Sequence, residues 1–216
     1  LCNAAAVYTR NKVKGAPILV TKANLEKSGN KAIAVIANSK NANTCNADGV
    51  EKADKMCELV AKELNIPKEQ VIVASTGVIG QVLPIEPIEK AVPILAKELD
   101  YGKNEEASTA IMTTDTIKKE YAVEFEIDGV KCTLGGMAKG SGMIHPNMAT
   151  TLNFITSDCA ISSEMLQKAL SEIVKVTYNC LSVDGDTSTN DMVSLMANGL
   201  AGNKEITCEG KEFDTF

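Results

Sequence analysis

The 216-residue sequence predicts a mixed α/β fold. Short β-branched apolar runs bounded by polar turn residues alternate with stretches of helical spacing. A separate alternating segment carries a hairpin turn signal. Hydrophobic residues make up 44% and charged residues 23%, which excludes a disordered or collagen-like chain. No stretch reaches the roughly 18 uninterrupted apolar residues of a membrane span.

Lys31-Ala-Ile-Ala-Val-Ile-Ala37 reads as a buried strand between Gly29-Asn30 and Asn38-Ser39. The polar stretch from Asn38 to Gly49 is a loop or a site lining. From Val50 to Leu64, apolar residues at Ala53, Met56, Cys57, Val60, Ala61 and Leu64 give a helix, with Pro67 as a stop. Val71-Ile-Val-Ala74 is a second buried strand that runs directly into Ser75-Thr76-Gly77. A helix is expected from Ile85 to Leu99, with Pro93 kinking or breaking it. Tyr121 to Ile127 and Val130 to Leu134 form a hairpin around Asp128-Gly129, followed by a Gly-rich segment from Gly135 to Gly142. Leu152 to Thr156 reads as a strand. Ser162 or Ser163 caps a helix that buries Met165, Leu166, Ala169, Leu170, Ile173 and Val174. Asp184 to Asp191 is a second polar loop, and an apolar run begins at Met192.

Composition removes several chemistries. The net charge of −6 argues against a nucleic-acid partner. The sequence has one histidine, His145, so no zinc site with two or three histidines is available and any Ser-His-Asp triad must use that residue. No Gly-x-Ser-x-Gly segment supplies a nucleophile for it. Lys139 precedes Gly140, which is the wrong order for a phosphate loop, and the Asp184–Asp191 stretch lacks the glycine and glutamate offsets of an EF-hand. That stretch is read as a polar loop with Asx-turns. The seven cysteines are an odd, widely spaced set without a Cys-x-x-Cys pair, as for small buried hydrophobes in a reducing compartment.

Three strands end in hydroxyl- or glycine-containing segments, Ser75-Thr76-Gly77, Thr113-Thr114-Asp115-Thr116 and Gly135–Gly142. Sites are assembled at such ends, although turn chemistry alone also produces these residues. With triad chemistry poorly supported, nucleophiles that need no histidine come forward. An N-terminal Thr is one, because its α-amine, with a pKa near ~7.7–8.0, serves as its own base.

Lys139-Gly-Ser-Gly-Met-Ile-His-Pro-Asn-Met-Ala-Thr150 resembles the self-cleavage segment of the ornithine acetyltransferase family, the glutamate N-acetyltransferases of arginine biosynthesis. Cys2–Tyr8, Asn11–Lys14, Asn43–Gly49, Ser75–Gly80, Ile111–Thr116 and Asp184–Asp191 are also similar to that family, in the same order. The resemblance implies a layered fold, sheet packed on sheet between helices, of the self-processing N-terminal-nucleophile type. It implies cleavage between Ala149 and Thr150, giving an α portion (1–149) and a β portion (150–216). Thr150 is then the nucleophile, which takes acetyl from N²-acetylornithine and passes it to glutamate. Thr76 and Gly77 match the family's oxyanion-hole positions, and Thr113 and Lys139 its substrate-binding positions. Lys139 suits an α-carboxylate.

The resemblance also implies no metal or nucleotide and no cofactor, with acetyl-CoA as a second acetyl donor left open. It implies association of the α and β portions, with a higher oligomer, and a cytoplasmic protein (mitochondrial in a fungus). Family members are longer at both ends, so this chain, which starts at Leu1, is expected to be an internal portion with further substrate residues beyond Phe216. Thr151 stands where the family usually has an apolar residue; the preceding Asn147-Met148-Ala149 selects Thr150. An aminopeptidase or amidase of the same self-processing fold and a non-catalytic amino-acid-binding domain are the alternatives.

Overall fold

The computed structural model describes residues 1–143 and 151–216. Its elements are β1 (Cys2–Tyr8), α1 (Ala16–Lys27), β2 (Lys31–Ala32), β3 (Ala34–Asn38), α2 (Gly49–Leu64), β4 (Val71–Ser75), α3 (Glu86–Lys97) and α4 (Asn104–Ala110). They continue with β5 (Lys119–Ile127), β6 (Val130–Lys139), β7 (Leu152–Ser157), α5 (Ser163–Val176), β8 (Met192–Ala197) and α6 (Lys211–Thr215).

Six strands form one sheet in the order β2-β1-β8-β7-β6-β5, and β3 pairs in parallel with β4 in a second, two-stranded sheet. The strand period of two explains how these stack. In β8, Val193, Leu195 and Ala197 join the cluster under α5, while Met192 and Met196 face the other way. In β4, Ile72 and Ala74 meet Met192 and Met196 in one shared cluster, and Val71 and Val73 pack with Ala53, Met56, Cys57 and Val60 of α2. The layers are therefore α5, the six-stranded sheet, the two-stranded sheet, and α2 with α3. This is the sheet-on-sheet arrangement the resemblance implies.

α1 contributes Ala16 and Val20 to one cluster and Ile18 and Leu25 to the next. A helix buried on several sides shows no apolar stripe, which is why the sequence does not announce it. Its polar residues serve the free edge of β4. Thr21 Oγ1 donates to the Val73 carbonyl and accepts from the Val73 N–H, both at 2.8 Å, and Asn24 Nδ2 donates to the Val71 carbonyl at 3.0 Å. An edge that would otherwise present unpaired backbone is thereby closed.

Several expectations change. The Gly-rich segment is not a loop from its start, since β6 runs through Gly135 and Gly136 to Lys139. A Cβ on Gly136 would lie 3.2 Å from Ile155 Cγ1 and from the Phe154 carbonyl oxygen, so close packing rather than turn geometry accounts for that glycine. α3 continues through Pro93 and ends at Lys97. Ile173 is exposed, so α5 buries Met165, Leu166, Leu170 and Val174 instead. Its cap is Ser162, whose side chain accepts from the Met165 N–H.

The α and β portions do not occupy separate regions. β7 and β8, which follow position 150, lie between β1 and β6, which precede it. No helix among the described residues is long and apolar enough to cross a membrane. Cys57, Cys132 and Cys159 are buried in the cores, as expected of small hydrophobes, whereas Cys45, Cys180 and Cys208 are exposed and do not fit that expectation.

Candidate active site

The parallel register of β3 and β4 ends both strands side by side, with Asn38 opposite Ser75. Ser75 Oγ donates to Asn38 Oδ1 at 2.6 Å, and the Thr76 N–H donates to the Asn38 carbonyl at 3.0 Å. The chain from Lys40 to Ala42 then folds back over 76–78. The Val78 N–H donates to the Lys40 carbonyl at 3.0 Å, and the Ala42 N–H to the Val78 carbonyl at 2.9 Å. Gly77 sits inside this lacing with φ +131°, and among the described residues its N–H makes no hydrogen bond.

Lys139, the last residue of β6, reaches this turn from the other sheet. Its Nζ donates to Thr76 Oγ1 at 3.1 Å. The Thr76 hydroxyl hydrogen is thereby turned away from the lysine and left to donate elsewhere. Lys139 is 9% exposed. Burial lowers its pKa, and the negative charge of Asp115 and Asp191 opposes that shift.

Thr113 follows helix α4 rather than the strand the sequence reading put before it; it is exposed and joins the site indirectly. Asp115 Oδ2 accepts from the Thr113 N–H at 3.2 Å, while Oδ1 accepts from the Gly140 N–H at 2.7 Å and from Lys119 Nζ at 2.6 Å. Burial works to raise the Asp115 pKa, but these three bonds hold it below the usual carboxylate range. Asp115 therefore ties the Thr113 loop to the residue after Lys139, and Thr114 Oγ1 adds a 2.7 Å bond with Ser141 Oγ.

The stretch Asp184–Asp191 is a polar loop, as the sequence reading has it, and Asp184, Gly185 and Asp186 are exposed, but its end is buried. Asn190 is 6% and Asp191 3% exposed. Asn190 Nδ2 donates to the carbonyls of Ala42 at 2.6 Å and Ser75 at 2.9 Å, and its Oδ1 accepts from the hydroxyls of Thr44 and Thr189, each at 2.6 Å. All four positions of the amide are used, two of them on the chain flanking Thr76 and Gly77. Asn190→Ala is expected to cost about 2–4 kcal/mol, read as a lower midpoint in denaturant with an unchanged slope.

Asp191 differs. Its Oδ2 is buried without a hydrogen-bond partner among the described residues. Burial pushes its carboxyl up to about 8, against a Ser188 hydrogen bond and the Lys139 charge. The folded protein thus keeps a proton that the unfolded chain releases near the ordinary aspartate value of 3.8. Stability from this group is fully present below that value and is lost as pH rises through about 8. The slope is at most about 1.4 kcal/mol per pH unit. Asp191→Asn, an amide isosteric with the neutral acid, is expected to gain stability relative to wild type as pH rises; urea melts at about pH 5 and 8 check this.

Of the residues singled out by sequence, the structure brings Thr76, Gly77 and Lys139 together and links Thr113 to them through Asp115. Ala149 and Thr150, with His145, lie outside the described residues. Asp115, Asn190 and Asp191 were visible only as members of polar motifs. Among the described residues, no group of three or more His, Cys, Asp or Glu side chains is placed to hold a metal ion.

The ArgJ family profile matches residues 1–216. The arginine biosynthesis bifunctional protein ArgJ 1 of Clostridium acetobutylicum is 52% identical over 220 residues, covering 100% of this chain and 52% of that protein. The chain spans about half the length of the curated relatives it matches. Among solved structures, the arginine biosynthesis bifunctional protein of Bacillus halodurans superposes with a TM-score of 0.60 at 39% identity, over 67% of this chain and 75% of that one. Ornithine acetyltransferase from Mycobacterium tuberculosis, complexed with ornithine, gives 0.57 at 34% identity, over 66% of this chain and 75% of that one. By the match along its whole length, the chain belongs to the ArgJ family.

Proposed function

We propose that this chain carries the self-processing centre of an acetyltransferase of arginine biosynthesis, which moves acetyl from N²-acetylornithine to glutamate. The observation that carries the reading is the Lys139–Thr76 hydrogen bond. It sets a buried cation against a hydroxyl and near a backbone N–H that makes no hydrogen bond among the described residues, at the ends of strands from two sheets, an arrangement suited to an amino acid's carboxylate beside a developing oxyanion.

In the first reaction, Thr150 Oγ attacks the Ala149 carbonyl and the peptide becomes an ester, which water opens. The new α-amine of Thr150 then serves as base for its own hydroxyl. Oγ attacks the acetyl group of N²-acetylornithine, ornithine leaves, and the glutamate amine takes acetyl from the ester in a second displacement. Each tetrahedral intermediate places negative charge on an oxygen, for which the Thr76 hydroxyl and Gly77 N–H are the donors. Lys139 binds the α-carboxylate common to donor and acceptor. No cofactor enters these steps. The portions 1–149 and 150–216 stay together after cleavage because β7 and β8 are hydrogen-bonded between β1 and β6.

Intact mass of the freshly expressed full-length protein tests the first reaction: a new chain beginning at Thr150 supports it, and a single polypeptide defeats it. Incubation with N²-acetylornithine, with and without glutamate, tests the second. Acetylglutamate is the expected product; free acetate alone turns the protein into a hydrolase. Acetyl-CoA in place of N²-acetylornithine shows whether a second donor is accepted.

A further inference from the structure

Lys139, Leu152, Met192 and Tyr8 lie in one row across the six-stranded sheet, each opposite the next in register. Asp191 immediately precedes this row. The N–H of Met192 donates to the Thr151 carbonyl at 3.1 Å, and the Asp191 carbonyl accepts from the Thr9 N–H at 2.9 Å. The backbone on both sides of Asp191 is thus held by neighbouring strands, and its side chain is committed to the interior at 3% exposure. A buried carboxyl with an unpartnered oxygen is costly unless it is neutral or has a use. The cation whose charge bears on it is Lys139, which is itself buried and whose one hydrogen bond among the described residues goes to the uncharged Thr76 hydroxyl.

We propose that Asp191 is a positioning residue acting through Lys139: protonated, it leaves the lysine's positive charge uncompensated for a substrate carboxylate, and ionised, it takes that charge for itself. The inference rests on the acetyltransferase reading of the site. The other groups bearing on Lys139 do not play this part. Asp115 is ionised and engaged by Lys119 at 2.6 Å, and Lys119 carries the same sign as Lys139. Tyr8, on the adjacent strand, is a half-buried phenol whose pKa is raised by desolvation. Ser188 contributes only a hydrogen bond. Among these described groups, Asp191 is the one that titrates closest to neutrality, at about 8. When it releases its proton to solvent, the Lys139–Asp191 pair passes from net +1 to net zero. A ligand carboxylate favours the +1 state, so its binding weakens as pH rises and raises the midpoint when bound.

The test is KM and kcat for N²-acetylornithine and for its α-carboxamide from about pH 6 to 10, in the full-length wild type, Asp191→Asn and Asp191→Glu. For wild type, KM of the carboxylate substrate is expected to rise at least about fivefold between roughly pH 7 and 9. KM of the carboxamide should stay level. In Asp191→Asn, the rise should shrink to less than about twofold over that range, and Asp191→Glu should restore it. The Thr150 amine also titrates near ~8, but it affects carboxylate and carboxamide alike and is read in kcat. Identical KM profiles in wild type and Asp191→Asn, or a loss confined to kcat, overturn the proposal. So does failure of Asp191→Asn to accumulate as folded protein, because the proposal holds that the neutral form is the one the fold prefers. A wild type that produces no acetylglutamate sinks both readings; one that does, with unaltered profiles in the variant, sinks only the role of Asp191.

Discussion

Gly77→Ala is expected to slow self-cleavage by about 10²–10³-fold or more, the scale of losing one oxyanion donor, and to lower acetyl transfer with it, because transfer needs the Thr150 amine that cleavage releases. A Cβ at this position would lie 2.1 Å from the Lys40 carbonyl carbon, 2.3 Å from its oxygen and 2.5 Å from the Asn41 nitrogen. Every one of these is backbone, so no side chain can swing aside. With φ +131° the new residue would also be strained in its own torsion. Relief requires the 76–78 turn to lift away from Lys40–Ala42, which breaks the two backbone bonds lacing them and turns the Gly77 N–H off its target. The accompanying loss of stability is on the order of 3 kcal/mol. Intact mass over time gives the cleavage rate, and a urea melt separates misfolding from a folded protein with a misdirected donor. A Gly77→Ala protein that cleaves at the wild-type rate would remove Gly77 from the oxyanion site.

The second large effect separates two adjacent threonines. Thr150→Ala should leave a single polypeptide without transferase activity, a loss of order 10³-fold or more as for other nucleophile deletions. Thr151→Ala should still cleave, within about tenfold of wild type, because removing a structural hydroxyl costs only part of one hydrogen bond. Thr151 is already engaged: its hydroxyl accepts from Asn153 Nδ2, and its carbonyl accepts from the Met192 N–H at 3.1 Å. It opens the β7 ladder. The reverse result, cleavage retained in Thr150→Ala and lost in Thr151→Ala, would move the nucleophile by one residue. N-terminal sequencing of the released chain decides between them directly.

How much was legible varied with the kind of burial. The α2 helix shows a clean apolar stripe because it lies on the outside of the two-stranded sheet and faces it with one side. β4 was readable as a continuous apolar run, being covered on both faces, whereas Lys31–Ala37, read as one strand, breaks at Ile33 into β2 of the six-stranded sheet and β3 of the two-stranded sheet. β1 was not assigned from Cys2-Asn-Ala-Ala-Ala-Val-Tyr8, since alanine has little intrinsic preference for a strand. It is nonetheless central, paired with β2 on one side and β8 on the other. Its alanines make sense only in three dimensions: Ala5 packs in the cluster under α5, and Ala4 and Ala6 leave room for the second sheet. The same holds for Thr21 and Asn24, ordinary polar helix residues until the edge of β4 is beside them.

The candidate site divides in the same way. Sequence by itself determined the family resemblance and the apolar strands, because residue type and local order are enough for those, and through that resemblance it nominated Thr76, Gly77, Thr113, Lys139 and Thr150. Tertiary structure alone decided that Lys139 meets Thr76 across two sheets, that Asp115 couples Thr113 to Gly140, and that Asn190 and Asp191 are buried rather than solvated. Lys139 and Thr76 are 63 positions apart and Asn190 and Ser75 are 115 apart. Pattern and propensity act over a few residues, whereas pairing, burial and charge coupling depend on which strands the fold sets side by side.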